Sequence, residues 1–76
     1  MSVKVYSKYN CPHCVRAKAL LKNMNINYHE INIEEDISAK DFLVSQGLRT
    51  LPQIYSGNTL IGGADQLTST TLSALR

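Results

Sequence analysis

The chain's only two cysteines stand three apart, in Cys11-Pro12-His13-Cys14, where one hydrophobic period gives way to another. Before them, Val3 and Val5 alternate with Lys4 and Tyr6, the period of a strand. After them, Ala17, Leu20, Leu21 and Met24 recur at the spacing of one helix face. The junction predicts a strand, a tight connection and a helix running from about Pro12 to Met24. Pro12 suits the first helical turn, where its missing N–H would have no intrahelical partner. Cys11 then falls at the helix N-terminus, where unpaired N–H groups and the helix dipole favour negative charge. A thiolate is stabilised there, its pKa falls, and the thiol becomes a nucleophile near neutral pH. Two thiols at this spacing can close a small disulfide ring and reopen it. Cys14 lies one turn before Ala17 on the inward face, so it is expected to be more buried than Cys11. Exposed Cys11 would attack and buried Cys14 would resolve.

Two other uses of the pair fit less well. A structural disulfide closing so short a ring removes little unfolded-state entropy. The first dozen residues also lack a basic start followed by an apolar secretory core, which predicts a reducing, cytoplasmic setting where stable disulfides are rare. A zinc site wants four ligands, and the other candidates are His13, inside the motif, and His29, in a predicted strand. The reading is therefore reversible redox chemistry with no metal.

With 76 residues, the chain is expected to form one domain around one small core. Hydrophobic residues make up 43%, but no apolar run approaches the ~20 residues of a membrane span. A net charge of +2 is too small to argue for nucleic acid. Lys8, Arg16, Lys18 and Lys22 nevertheless gather around the cysteines. Lys18 and Lys22 read as a solvated helix face, whereas Lys8, three residues before Cys11, can steady a thiolate or meet a carboxylate.

A second strand is predicted from about Asn27 to Ile33, with Ile31 and Ile33 inward. Glu34, Glu35 and Asp36 read as a solvated turn. Ser38 and Asp41 resemble a capping box for a second helix, with Phe42 and Leu43 inward and Gly47 as its stop. Pro52 begins a short strand through Ile54 and Tyr55, and Ser56-Gly57-Asn58 turns it into Thr59-Leu60-Ile61. Gly62-Gly63 breaks the chain, and Asp65 is placed to cap a last helix with Leu67, Thr71, Leu72 and Leu75 on its inner side. The order is β-α-β-α-β-β-α, an α/β pattern. A Cys-x-x-Cys at its first strand–helix junction reads as a thioredoxin-like fold.

Three motifs now resemble the glutaredoxin family in order and spacing. They are Ser7-Lys8 through Cys11-Pro12-His13-Cys14, then Arg49-Thr50-Leu51-Pro52, then Ile61-Gly62-Gly63-Ala64-Asp65. The resemblance covers nearly the whole chain, as a single domain over 1–76. It implies a four-stranded mixed sheet with three helices and a cis Leu51–Pro52 bond. It implies a monomer that reduces protein disulfides and glutathione mixed disulfides, with glutathione as co-substrate and no tightly bound cofactor. Glutathione reductase would act indirectly, and ribonucleotide reductase is a target suggested by the resemblance alone. By position, Lys8 and Arg49 look like the residues that meet glutathione carboxylates. Thr50, Leu51 and Pro52 look like a backbone clamp that pairs with the ligand as an added strand does. Gly63, Ala64 and Asp65 look like the loop for the γ-glutamyl end, helped by the last helix's N-terminus.

The chain departs from the family pattern twice. His13 stands where the family usually has a tyrosine that can lie against bound glutathione, which places His13 in the glutathione-binding set; its imidazole is smaller, can carry charge near neutral pH and can favour the Cys11 thiolate. Ala64-Asp65-Gln66 stands where the family often has a cysteine and two acids. The small size and Gln46-Gly47-Leu48-Arg49-Thr50-Leu51-Pro52 also look like an NrdH-type redoxin, which takes electrons from thioredoxin reductase. A third reading, an iron–sulfur carrier using Cys11 and glutathione in a dimer, is disfavoured by Pro12.

Overall fold

A computed structural model describes residues 2–76. Strand β1 (Val3–Ser7) runs into helix α1 (Pro12–Asn23) and then strand β2 (Tyr28–Asn32). Helix α2 (Ile37–Ser45) crosses to the hairpin of β3 (Gln53–Ser56) and β4 (Thr59–Gly62). A single 3₁₀ turn (Ala64–Gln66) precedes the last helix, α3 (Ser69–Leu75). The sheet order is β2-β1-β3-β4, with β1 parallel to β2 and antiparallel to β3, and β3 antiparallel to β4. This is the mixed four-stranded, three-helix thioredoxin-like architecture.

The sheet is covered on both faces, and this corrects the simple alternation expected of β1. Val3 and Val5 point into a core with Ala17 and Leu21 of α1, Ile54 of β3, and Leu67 and Leu72. Tyr6 points the other way, into a second core with Ala39 and Leu43 of α2 and Tyr55 of β3. A central strand covered on both sides buries successive residues rather than alternate ones. Ile31 and Ile33 pack against this second core. Leu43 is buried, but Phe42 remains 39% exposed and contributes through ring contacts, 5.8 Å from Tyr6 and 5.6 Å from Tyr55 between centroids.

Helix ends follow local chemistry. Beyond α1, Asn25 takes φ +57° while its N–H bonds the Lys22 carbonyl and the Ile26 N–H bonds the Leu21 carbonyl. Gly47 does the same after α2 at φ +73°, with the Gly47 N–H on Val44 and the Leu48 N–H on Leu43. Both are left-handed caps that satisfy the last carbonyls and turn an apolar residue back toward the helix. Two N-caps differ from expectation. Helix α2 is capped by Asp36, whose carboxylate accepts from the Ala39 N–H at 3.1 Å and from Ser38 Oγ at 2.6 Å, so no Ser38–Asp41 box forms. Helix α3 is capped by Thr68, which accepts from the Thr71 N–H at 3.3 Å, and Asp65 lies in the preceding 3₁₀ turn. In each case a residue two or three positions away already holds the extended backbone that a cap requires.

Candidate active site

The loop from β1 to α1 is tied down by the loop that follows its parallel neighbour, β2. Glu34 accepts from the Tyr9 N–H at 2.7 Å, and the Tyr9 hydroxyl bonds the Glu35 carboxylate. The acidic run is thus no idle solvated turn: Glu34 and Glu35 hold the loop and Asp36 caps α2. Asn10 takes φ +54° and brings the chain to Cys11, the N-cap of α1, with Pro12 at the first helical position. Cys11 and Cys14 are joined as a disulfide with their Cα atoms 5.2 Å apart. The Cys14 N–H donates to Cys11 Sγ at 3.2 Å. That N–H would serve a thiolate at the same sulfur, the stabilisation expected of a helix N-terminus. Cys14 is 1% exposed and Cys11 8%. The order matches expectation, although oxidised Cys11 is more covered than foreseen, since its sulfur is bonded to Cys14 and faces the Leu51 carbonyl oxygen at 4.0 Å.

The Leu51–Pro52 peptide is cis. The buried Gln53 side chain fixes the turn before it, donating through Nε2 to the Thr50 carbonyl at 2.9 Å and to Thr50 Oγ1 at 3.2 Å. Further along, Gly62 takes φ +128°, and a Cβ there would fall 2.8 Å from Gln66 Cγ. Gln66 folds back so that its Oε1 accepts from the Gly63 N–H at 2.7 Å.

These segments form one open groove of about 450 Å³. It brings together His13, Thr50, Leu51, Pro52, Gly63, Ala64 and Asp65 of the expected set. Ala64 contributes backbone, since its methyl is buried in the first core. Arg49 is exposed and outside the residues lining the groove. Lys8 lies on the other side of the disulfide, in a cavity of about 780 Å³ shared with Cys11, Cys14, Lys18 and Glu30. There the expected solvated face of α1 is corrected at Lys18, which pairs with Glu30 at 2.8 Å. Glu30 also accepts from the buried Ser7 hydroxyl at 2.8 Å. Its carboxyl is held below the usual range, first by the Lys18 bond and then by that from Ser7.

Arg16, Gln53, Gly62 and Gln66 belong to the groove without having been assigned to it from sequence. Arg16 spans from α1 to the 3₁₀ turn, its Nη2 2.6 Å from Asp65 Oδ1. The separation of 49 residues leaves no periodic signal for such a pair. Gly62 was legible as half of a Gly-Gly break.

A disulfide at a helix N-terminus, beside a cis-proline turn in a thioredoxin-like fold, defines a thiol–disulfide oxidoreductase. Residues 3–61 match the glutaredoxin family model. The chain is 39% identical over 69 residues to glutaredoxin 1 of Rickettsia conorii, covering 87% of this chain and 68% of that protein. It is 36% identical over 67 residues to glutaredoxin 3 of Escherichia coli, covering 87% and 81%. The chain belongs to the glutaredoxin family. Among solved structures, a buckwheat glutaredoxin–glutathione complex superimposes with a TM-score of 0.80 at 26% identity, over 96% of this chain and 74% of that one. NrdH-redoxin from Escherichia coli superimposes with a TM-score of 0.85 over 100% and 96%, and at 24% identity that likeness speaks for the fold.

Proposed function

We propose that this chain reduces glutathione mixed disulfides and protein disulfides with glutathione as electron donor. One observation carries the reading: a single groove runs from the cis-proline turn beside the disulfide to a carboxylate at Asp65. Its first half offers the Leu51 backbone to an extended peptide, and its second half offers charge to an amino-acid end. Among relatives, the buckwheat glutaredoxin has been seen with glutathione, which is consistent with this use of the groove.

Cys11 thiolate attacks the glutathione sulfur of a mixed disulfide. The Cys11–glutathione bond forms, the old S–S bond breaks, and the other thiolate leaves and takes a proton from water. The thiolate of a second glutathione attacks that adduct, releasing glutathione disulfide and restoring Cys11 thiolate. With a protein disulfide, Cys11 forms the mixed disulfide and Cys14 thiolate displaces the second target thiol, leaving the Cys11–Cys14 disulfide for two glutathiones to reduce. The Cys14 N–H is placed to steady Cys11 sulfur as a thiolate. Lys8 and Arg49, both exposed, supply positive charge for incoming carboxylates from outside the groove, and His13 lines its wall. Cytoplasmic disulfide proteins are the proposed targets.

A second reading, reduction by thioredoxin reductase, draws on the Gly63 N–H and the Asp65 carboxylate, both of which already have partners within the chain. The deciding experiment supplies a glutathione mixed disulfide and NADPH, with either glutathione and glutathione reductase or thioredoxin reductase alone. Turnover with the first pair and none with the second is expected. The reverse pattern overturns the proposal.

A further inference from the structure

We infer that a cavity separate from the disulfide is a binding site for a small aromatic carboxylate, formed where the ring cluster of the second core meets Lys4. The cavity, of about 410 Å³, lies where the end of α2 meets the sheet, with Phe42 and Gln46 on one side and Lys4, Tyr6 and Tyr55 on the other. It shares no lining residue with the groove or with the cavity beside the disulfide. Its size falls in the ~300–1,000 Å³ range of small-molecule sites, and its lining has their make-up, apolar rings with a few polar groups. Nothing in it depends on which electron donor the disulfide uses.

Two parts of the lining lack partners within the chain. Tyr6 and Tyr55 are each more than nine-tenths buried, at 8% and 7% exposure. A buried phenol ordinarily finds a partner for its hydroxyl. Neither of these has a hydrogen bond among the described residues, and both line the cavity. Lys4 stands opposite Tyr55 in the β1–β3 pairing, is half-buried, and forms no ion pair among the described residues. No acidic residue lines the cavity, so its fixed charge is a single positive one. A ligand carboxylate gains the Lys4 ammonium as a charge-assisted donor. The tyrosine hydroxyls and the amides of Gln46 and Asn58 line the same cavity as further donors.

The rings set the body of the ligand. Tyr6 stacks on Phe42 with 29° between planes, Tyr55 stands edge-on to Tyr6 at 78°, and Phe42 remains 39% exposed. A further ring extends such a cluster by offset or edge contact. An aliphatic anion would satisfy Lys4 alone, and an aromatic cation would be repelled by it.

The test titrates the nitrogen-labelled full chain with benzoate, acetate and benzylamine and follows the backbone amide signals by NMR. Benzoate should give saturating shifts at Lys4, Phe42, Gln46 and Tyr55, with a Kd at least about tenfold below those of acetate and benzylamine. Lys4→Gln should weaken benzoate about tenfold, the size of one charge-assisted bond, and Lys4→Arg should keep most of its affinity. Equal Kd values for benzoate and acetate would reduce the site to a surface lysine and overturn the inference. An unchanged benzoate Kd in Lys4→Gln overturns it too, as do shifts that never saturate or that fall only on residues of the groove. The three-probe comparison on the wild type stands whatever the stability of the variants.

Discussion

At the scale of single residues, the two cysteines share a ring but not a surroundings. Cys11 receives the Cys14 N–H and keeps 8% of its surface open, whereas Cys14, on the inner face of α1, keeps 1%. We therefore expect Cys11→Ser to lose all activity. Cys14→Ser should keep reduction of glutathione mixed disulfides, which needs one thiol, and lose reduction of protein disulfides. Both variants are to be assayed on both substrates after circular dichroism shows them folded, and a folded but wholly inactive Cys14→Ser would refute this division of labour. This contrast was legible in the sequence because helical spacing alone puts Cys14 on the face of Ala17. The two glycines were less legible, since a Gly-Gly pair does not say which member is required. Gly62 sits at φ +128° with Gln66 Cγ 2.8 Å from any added Cβ, whereas at Gly63 the nearest atom, the Pro52 carbonyl oxygen, would be 3.4 Å away. Gly62→Ala should cost about 1–3 kcal/mol in urea unfolding, as side chains forced into such backbone do. Gly63→Ala should cost clearly less, and equal losses would mean that the close approach of Gln66 imposes no constraint.

At the scale of elements, the order of strands and helices was legible, and the joints between them were not. Periodicity located α1 because its buried positions, Cys14, Ala17 and Leu21, repeat at helical spacing. Which polar residue caps each later helix depended on where the backbone turns extended, and neither Ser38 nor Asp65 proved to be that residue. Lys18 seemed free from its place on the helix, yet β2 presents Glu30 to it, a pairing set by the sheet and not by local sequence. This joint predicts a pH dependence. The Glu30 carboxyl is held below its ordinary range by Lys18 and then Ser7, and that of Asp36 by Ser38 and then the Ala39 N–H. A carboxyl with a lowered folded-state pKa stabilises the fold fully above the ordinary carboxylate range. That contribution fades as pH falls through the ordinary value to the lowered one. Urea midpoints should therefore drop on acidification through this window. In a Glu30→Gln, Asp36→Asn double variant the acid limb should be flatter than in the wild type, and limbs of equal slope would show that these two groups do not set it.

At the scale of the whole molecule, the groove is a seam between the two cores. The wall formed by Ala64 and the turn after it rests on the first core, through Ala64 and Leu67. The opposite wall rests on the second, through Leu48 and Leu51. Neither dependence could be read from the chain, because it arises only when the sheet is covered on both faces. The same sheet binds the cores to each other: in β1 Val5 belongs to one and Tyr6 to the other, and in β3 Ile54 and Tyr55 divide likewise. Loosening either core must then loosen the shared strands, so a cavity on one side should be felt on both. Leu21→Ala removes a fully buried side chain from the first core, with an expected loss of about 2–5 kcal/mol. That is a large part of the ~5–15 kcal/mol that holds a small domain together. The ring cluster of Tyr6, Phe42 and Tyr55 lies on the far side of the sheet and reports on the second core. If the cores are one cooperative unit, then in a Tyr9→Phe, Tyr28→Phe background, where Tyr6 and Tyr55 are the remaining tyrosines, the near-ultraviolet tyrosine signal and the far-ultraviolet signal of the backbone should lose stability together on Leu21→Ala, with one midpoint in urea. Retention of the wild-type midpoint by the tyrosine signal, while the backbone signal moves, would mean that the two cores unfold separately and that the groove's walls are held independently.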